Sequence, residues 1–192
     1  GGIVSQVSSG LTVENSTFVG GYSGVNVAGE SIGKPSANMT VMNCTFSDIY
    51  DGAIVAQYMD NVTIDGNYIN NVRSQYGDGI NLPYTNNIEL TFNEVYAPYA
   101  FYGYNMNNNT IGIDEVSNNM FSGTYYGIYA SNSENLNIFH NTIASTGTGN
   151  AILIGGFGAT SGDSLDIRNN IFSTESSSAF YIDGTITNTS FN

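Results

Sequence analysis

A pattern of apolar and polar positions recurs along the chain at intervals of about 25 residues. Each copy reads apolar-x-apolar, two residues, a small polar residue, one residue, and then a large apolar residue. A fixed period of this length indicates a repeat architecture, in which each unit buries its apolar side chains against its neighbours. The copies are Leu11-Val13-Ser16-Phe18, Met39-Val41-Cys44-Phe46, Val62-Ile64-Asn67-Ile69, Ile88-Leu90-Asn93-Val95, the looser Val116-Asn119-Phe121, Leu136-Ile138-Asn141-Ile143, Leu165-Ile167-Asn170-Phe172 and the partial Ile186-Thr189-Phe191.

A second short segment follows each copy, beginning with Gly or Ala and alternating between inward and outward positions, as in Gly79-Ile-Asn-Leu82 and Gly127-Ile-Tyr-Ala130. Each repeat therefore contains three short strands with period two and no helical spacing. A four-stranded propeller blade needs a longer repeat, and a leucine-rich repeat needs a different apolar spacing. We predict an all-β, right-handed, single-stranded parallel β-helix of about eight coils, forming one domain over residues 1–192.

The repeat assigns side chains to columns that run along the stack of coils. The large apolar residues that end each copy, from Phe18 to Phe191, are predicted to stack inside, and the first apolar residues of the Gly or Ala segments, from Ile3 to Phe180, form a second inward column. The small polar residues form a third column in a tight turn, because Asn tolerates the left-handed conformation and its amide can bond along the stack. Cys44 in this column is predicted to be a small buried spacer. The asparagines of the column are Asn67, Asn93, Asn119, Asn141 and Asn170.

The chain begins at Gly1 and ends at Asn192 in the middle of a coil. A bare terminal coil exposes backbone groups and apolar side chains, and solenoids usually cover them with caps. We therefore expect an internal fragment of a longer protein, flanked by further coils of the same chain.

Charge narrows the classes of partner. Three Lys and Arg residues stand against sixteen Asp and Glu residues, giving a net charge of -13. Nucleic acid is a poor partner, since its phosphates require clustered cations. No stretch approaches the length of a membrane span, so membrane insertion is not expected. An acidic, lysine-poor chain rich in Asn and Thr favours a secreted or cell-surface location.

The segments "NVTIDGNYINNV" (61–72) and "GDGINL" (77–82) are similar to the short β-helix repeats of the pectin-lyase-like superfamily, and the similarity covers essentially the whole chain. The resemblance implies that polysaccharide would bind along the face formed by the Gly or Ala strands. It does not imply one activity, because such folds include lyases, hydrolases, adhesins and plain surface proteins. The outward positions of this face are Val4, Asn26, Val55, Asn81, Tyr102, Tyr129, Leu153 and Tyr181.

Catalytic candidates near this face are few. The relatives that are lyases use a basic residue, and the hydrolases use several Asp, but the outward positions supply neither. Asp51 and Asp78 precede the strand on adjacent coils, one position out of register, and Arg73 is the one base in the neighbouring loop. The two aspartates could form an acid/base pair or hold Ca²⁺, yet Asp beside Gly is also ordinary turn chemistry. No metal site and no cofactor other than this Ca²⁺ is expected.

Tyrosines are the stronger signal, because aromatic rings and phenol hydroxyls contact sugars. Tyr102 and Tyr129 are adjacent outward residues, and Tyr181 lies two coils further. The ligand-binding candidates are Asn81, Tyr102, Tyr129, Tyr181, Tyr76 and Tyr104. These residues favour a non-catalytic surface module that binds carbohydrate or is structural. The alternative is a polysaccharide lyase or glycoside hydrolase that uses Arg73, Asp78 or Asp51.

Overall fold

The fold is a parallel β-solenoid, seen in a computed structural model that describes residues 2–6, 9–70, 75, 77–107, 112–156, 164–183 and 189–191. This part of the chain contains strands and turns but no helix, and therefore none that could cross a membrane. The strands in chain order are β1 (Ile3–Gln6), β2 (Leu11–Glu14), β3 (Thr17–Val19), β4 (Val25–Ala28), β5 (Ser36–Met42), β6 (Thr45–Ser47), β7 (Gly52–Gln57), β8 (Met59–Asp65), β9 (Tyr68–Asn70), β10 (Asp78–Pro83), β11 (Asn86–Thr91), β12 (Glu94–Tyr104), β13 (Asp114–Ser117), β14 (Met120–Ser131), β15 (Leu136–Phe139), β16 (Thr142–Ser145), β17 (Ile152–Gly155), β18 (Leu165–Arg168), β19 (Ile171–Thr174), β20 (Phe180–Asp183) and β21 (Thr189–Phe191).

Three faces surround the core. The first face is an eight-stranded sheet in the order β2-β5-β8-β11-β13-β15-β18-β21. The second face is formed by β3, β6, β9, β16 and β19, and the third by β1, β4, β7, β10, β17 and β20. Strands β12 and β14 belong to both the second and the third face, which are therefore joined into one 13-stranded sheet.

Strands β12 and β14 continue from the second face into the third without a turn. Phe101 follows the inward Val95 by only six positions, the shortest such spacing in the chain, and Ile128 follows Phe121 by seven. The pairing of the two strands shifts register between Ala97 and Tyr99, which accommodates the bend.

The predicted inward columns are confirmed over most of the chain. Val25 pairs with Ile54, Ile54 with Ile80, and Ile80 with Phe101, all fully buried. In the second column, Phe18 stacks on Phe46 with ring centroids 4.9 Å apart. Burying each side chain of this size contributes about 1.5–3 kcal/mol, so the columns supply the stability that a disulfide cannot.

The predicted register of the last copy of the repeat is wrong. The sequence pattern predicts that Phe191 continues the column of Phe172, but Phe191 pairs with Ile167 of the first face, and Thr189 pairs with Leu165. The segment Thr189-Ser190-Phe191 fits the strand before the turn as well as the strand after it, since both have period two. Three residues are too few for the alternation to distinguish the two registers.

The asparagine column lies in the turn between the first and second faces, and its hydrogen bonds run from coil to coil. The amide of Asn67 donates to Oδ1 of Asn93 (2.9 Å), Asn93 to Asn119 (3.0 Å), and Asn119 to Asn141 (3.0 Å). Asn141 donates in the same way to Asn170. The Asn side chains also form hydrogen bonds with backbone N–H and carbonyl groups. The polar atoms buried in this turn therefore have hydrogen-bond partners.

The sequence predicts that the column residue of this turn is left-handed, and this is wrong. The left-handed residue is the one before it. Positive φ occurs at Asn43 (53°), Phe92 (54°), Asn118 (57°) and His140 (57°). The column residue instead turns its side chain inward. Cys44 is buried as predicted, with its backbone N–H donating to Oδ1 of Asn67 at 2.9 Å.

Candidate functional site

The outward side chains of the third face form a grid of two columns over three coils. Register pairs Asp78 with Tyr99 and Tyr99 with Tyr126 in one column. In the other, Asn81 pairs with Tyr102 and Tyr102 with Tyr129. The first column lies at the bend where the third face begins, and the second column lies three residues further along the strands. The rings of the two columns are in contact. We call this set the tyrosine face; its members are Asp78, Asn81, Tyr99, Tyr102, Tyr126 and Tyr129.

The tyrosine rings pack on one another. Tyr102 and Tyr129 are parallel, with centroids 5.0 Å apart and planes 3° from parallel. Tyr99 stacks on Tyr125 at 5.6 Å and contacts Tyr102 edge-on at 6.1 Å. The rings of Tyr102 and Tyr129 therefore cover their facing surfaces with each other, and their edges and hydroxyls remain for a ligand.

Burial and neighbouring charge alter the phenols. The pKa of Tyr99 and that of Tyr102 are both raised, first by desolvation and then by adjacent tyrosines and the carboxylate of Asp78. Both hydroxyls therefore stay protonated at neutral pH and can donate a hydrogen bond as well as accept one. This suits the hydroxyl groups of a sugar, which also donate and accept.

Asp78 stands at the edge of the tyrosine face. Desolvation raises the pKa of its carboxyl to about 7, against the hydrogen bond from the Asn81 amide, and the charge of Asp51 acts in the same direction as desolvation. Oδ1 of Asn81 is buried without a hydrogen-bond partner. The carboxyl is thus present in both protonation states near neutral pH, beside an amide oxygen that can accept a further donor.

Asp51 lies at the turn before β7, as the sequence indicates. Its backbone carbonyl accepts the N–H of Asp78 at 3.0 Å, so the two residues are neighbours on adjacent coils. Gly52 is the register partner of Asp78, which confirms the offset of one position. Within the described residues no group of three His, Cys, Asp or Glu side chains is placed to hold a metal ion.

The other predicted residues fall in different places. Tyr104 ends β12 two residues beyond Tyr102, and so shares its outward side. Tyr181 is 44% exposed and is separated from Tyr129 by Leu153, about 10 Å along the stack. Arg73 and Tyr76 lie outside the described residues.

Tyr99, Tyr125 and Tyr126 are not among the candidates that the sequence identifies. The structure puts all three in the continuous strands β12 and β14. The signal available was the short spacing between Val95 and Phe101, which leaves no loop in that coil. A groove of about 270 Å³ lies on the same two strands just before these tyrosines, with Tyr96, Pro98 and Thr124 in its lining.

A second aromatic group borders the tyrosine face at the corner between the third and first faces. Tyr84 stacks on Tyr58 at 5.1 Å and meets Tyr104 edge-on at 5.5 Å. Tyr58 and Tyr84 have φ of 53° and 54°, a region that costs a side chain with a Cβ about 1–2 kcal/mol. The ring contacts contribute about 0.5–1.5 kcal/mol each, so they do not clearly offset the two strained residues.

The described cations are paired with acids and are not members of the tyrosine face. The described strands of the third face contain no Lys or Arg. Lys34 pairs with Glu30 at 3.0 Å, and Arg168 pairs with Asp166 at 2.8 Å on the first face. Among the described residues, the charged groups at the tyrosine face are therefore the acids Asp78 and Asp51.

A second groove, of about 430 Å³, lies on the first face, and its carboxylates are partly engaged. Asp65 accepts a hydrogen bond from Thr91 at 2.7 Å, and Glu115 accepts one from Ser117 at 2.7 Å. Phe92 at its rim is 65% exposed. This groove has one ring and several acids, whereas the tyrosine face has four rings, with the acids Asp78 and Asp51 at its edge.

A protein-family model described as a right-handed β-helix region matches residues 1–109 of the chain, which include the tyrosine face up to Tyr102 and the corner group of Tyr58, Tyr84 and Tyr104. No curated protein and no solved structure gives a significant match. The match accords with the stacked parallel sheets, and it accords with the resemblance to pectin-lyase-like coils.

Proposed function

Since the chain belongs to the right-handed β-helix family, we propose that it is a carbohydrate-binding module of a secreted or cell-surface protein, with the tyrosine face as its non-catalytic binding surface. The observation that supports this most is the arrangement of four tyrosines on adjacent coils, with Tyr102 and Tyr129 parallel at 5.0 Å. Coils repeat about every 4.8 Å, so the phenol hydroxyls of Tyr102 and Tyr129 lie side by side on neighbouring coils. Sugar hydroxyls can donate hydrogen bonds to such a pair and accept hydrogen bonds from it.

The charge distribution favours an uncharged glycan. An acidic polysaccharide would approach a chain of net charge -13 and would place carboxylates beside Asp78 and Asp51. Repulsion between these like charges disfavours binding. The described strands of the third face have no cation to offset it. Neutral sugars meet no such barrier, because phenols and amides recognise them through hydrogen bonds.

Binding can be tested with a panel of polysaccharides in affinity electrophoresis and calorimetry. The panel contains xylan, glucomannan, polygalacturonate and its methyl ester; the last two share a backbone and differ in charge. We expect binding to at least one neutral member, and weaker binding to polygalacturonate than to its ester. Failure of every member to bind would refute the proposal.

The variant Tyr102→Ala with Tyr129→Ala should weaken that binding at least tenfold, which corresponds to about 1.4 kcal/mol or more. Tyr22→Ala with Tyr50→Ala is the matched control, because it removes another pair of exposed, adjacent rings, 5.6 Å apart, on earlier coils. Unchanged affinity in the first variant, or an equal loss in the control, would place the ligand elsewhere.

A second candidate function rests on Asp78, whose pKa of about 7 suits a general acid at neutral pH. In a glycoside hydrolase, Asp78 would protonate the glycosidic oxygen while Asp51 activated water on the adjacent coil. Incubation of the same panel would then release new reducing ends, and a lyase would release unsaturated ends. Asp78→Asn would abolish either product. Product formation by the unmodified protein would overturn the non-catalytic proposal.

A further inference from the structure

Two tyrosines at the corner of the third and first faces adopt a backbone conformation that other coils assign to small or polar residues. Tyr58 and Tyr84 have φ of 53° and 54°. At the same turn position, the following coils have Asn105 (50°), Asn132 (49°) and Gly156 (59°). Asn and Gly enter this region readily, whereas a bulky side chain there is a genuine outlier. The turn itself therefore does not require tyrosine.

The position of the turn is the same in each coil, as the backbone hydrogen bonds show. The N–H of Tyr58 donates to the carbonyl of Pro83 at 3.3 Å, and that of Tyr84 donates to Tyr104 at 2.7 Å. Asn105 donates in the same way to Ser131 at 3.0 Å. Replacing tyrosine by asparagine at this point would keep the backbone path and its hydrogen bond. What tyrosine adds is its ring.

These rings continue the tyrosine face. Tyr104 follows Tyr102 on the outward side of β12, and the ring of Tyr84 meets Tyr104 edge-on at 5.5 Å. From Tyr99 to Tyr104 the strand covers about 17 Å, and Tyr84 extends the aromatic surface around the corner. The rings of Tyr58, Tyr84 and Tyr104 are only half-buried, so each leaves part of its surface open.

We propose that Tyr58, Tyr84 and Tyr104 form a distal subsite for the same glycan chain, which lies along the strands across the full width of the third face. This inference rests on the proposed carbohydrate-binding function. It identifies the ligand as an extended oligosaccharide of several units. A mono- or disaccharide would be too short to reach both Tyr99 and Tyr84. Strained backbone retained at a ligand-facing position is a recurrent feature of functional sites.

The experiment compares the affinities of ligands of different lengths for the protein and for a variant with one residue changed. Size ladders from disaccharide to octasaccharide are prepared from xylan, glucomannan and methyl-esterified polygalacturonate, and their affinities are measured by calorimetry. For the unmodified protein, affinity should rise with length until both subsites are filled. In Tyr84→Asn, the affinity for the long oligomers should fall about threefold to tenfold, while that for the shortest binding oligomer stays the same. The thermal midpoint should stay equal or rise, because Asn suits the left-handed turn.

Phe92→Asn is the matched control. Phe92 is also an exposed aromatic residue with positive φ (54°), at a turn where other coils have Asn43 and Asn118, but it lies at the border of the first and second faces. This variant should also keep or raise the thermal midpoint, and it should leave affinity unchanged for every length.

Three results would overturn the inference. Equal losses for short and long oligomers in Tyr84→Asn would make the ring part of the first site. A lower thermal midpoint with unchanged affinities would make the stack structural. Length-independent affinity of the unmodified protein would show that no distal contact exists, although the proposed function would stand. If no ladder binds at all, the proposed function fails first.

Discussion

A buried carboxyl interrupts the apolar core of the first face and should make stability depend on pH. Asp114 occupies the inward position at which the next coil has Leu136. Its side chain is fully buried. Oδ1 accepts the N–H of Ile88 at 3.0 Å, and Oδ2 has no hydrogen-bond partner. Desolvation raises the pKa of this carboxyl to about 8, against the backbone N–H donors of Ile88 and Asn87, and the charge of Asp60 adds to the rise.

The direction of the pH effect follows from the pKa of Asp114 in the unfolded and in the folded chain. The unfolded chain loses this proton near the ordinary value of 3.8, whereas the folded chain keeps it until about pH 8. The contribution to stability is therefore fully present below pH 3.8 and is lost as pH rises through 8. Each pH unit between the two values costs about 1.4 kcal/mol, so the whole interval costs on the order of 6 kcal/mol. The raised pKa of Asp78, to about 7, acts in the same direction.

Asp114→Asn removes the titration and keeps an oxygen that can accept the N–H of Ile88. We expect the variant and the unmodified protein to have similar free energies of unfolding near pH 4, where the folded state holds a neutral side chain in both. The variant should become more stable than the unmodified protein by several kcal/mol at pH 8. Urea denaturation at intervals from pH 4 to pH 9 measures the difference.

Asp183→Asn is the control, since that side chain is exposed and its removal should shift the whole curve by less than about 0.5 kcal/mol. Parallel curves for Asp114→Asn and the unmodified protein would refute the reasoning. They would mean that Asp114 is charged in the folded state and has found a partner for its second oxygen.

Two further substitutions and one labelling reaction test the packing. Asn93→Ala should lower the free energy of unfolding by about 3 kcal/mol or more, because it leaves two buried donors of Asn67 without an acceptor, and denaturant curves will show it. Cys44 should react with a thiol reagent only as fast as the protein unfolds, since its sulfur is buried; immediate labelling of the folded protein would contradict this. Gly149→Ala should destabilise the chain and weaken glycan binding, because a Cβ there would lie 1.5 Å from the backbone oxygen of Tyr125; unchanged melting would show that the coil can yield.

The coil architecture can be predicted from the sequence because the same small set of inward positions repeats. The repeat alone assigns inward residues such as Ile80 and Phe101 to the correct column. It does not place Thr189-Ser190-Phe191, since these three residues fit two strands of the repeat equally well. Asp114 could not be identified as a core residue, because an aspartate carries no apolar signal and only its place in the column reveals the burial.

The tyrosine face can be predicted only in part. Tyr102 and Tyr129 follow from alternation on one strand, and their register is confirmed. Tyr99 and Tyr126 depend on the strand continuing around a corner, which the alternation within one short strand does not indicate. The left-handed backbone conformation of Tyr84 could not be predicted, because the sequence there resembles a strand end and gives no sign of strain.

The proposal that the tyrosine face binds carbohydrate is tested most directly by locating a bound oligosaccharide. A crystal structure should be determined with a hexasaccharide of whichever neutral polysaccharide in the panel binds most tightly. We expect the sugar chain to contact Tyr102 and Tyr129 and to run along the strands toward Tyr84. A well-ordered sugar chain in the groove of the first face, beside Glu89 and Phe92, with the tyrosine face empty, would contradict the account.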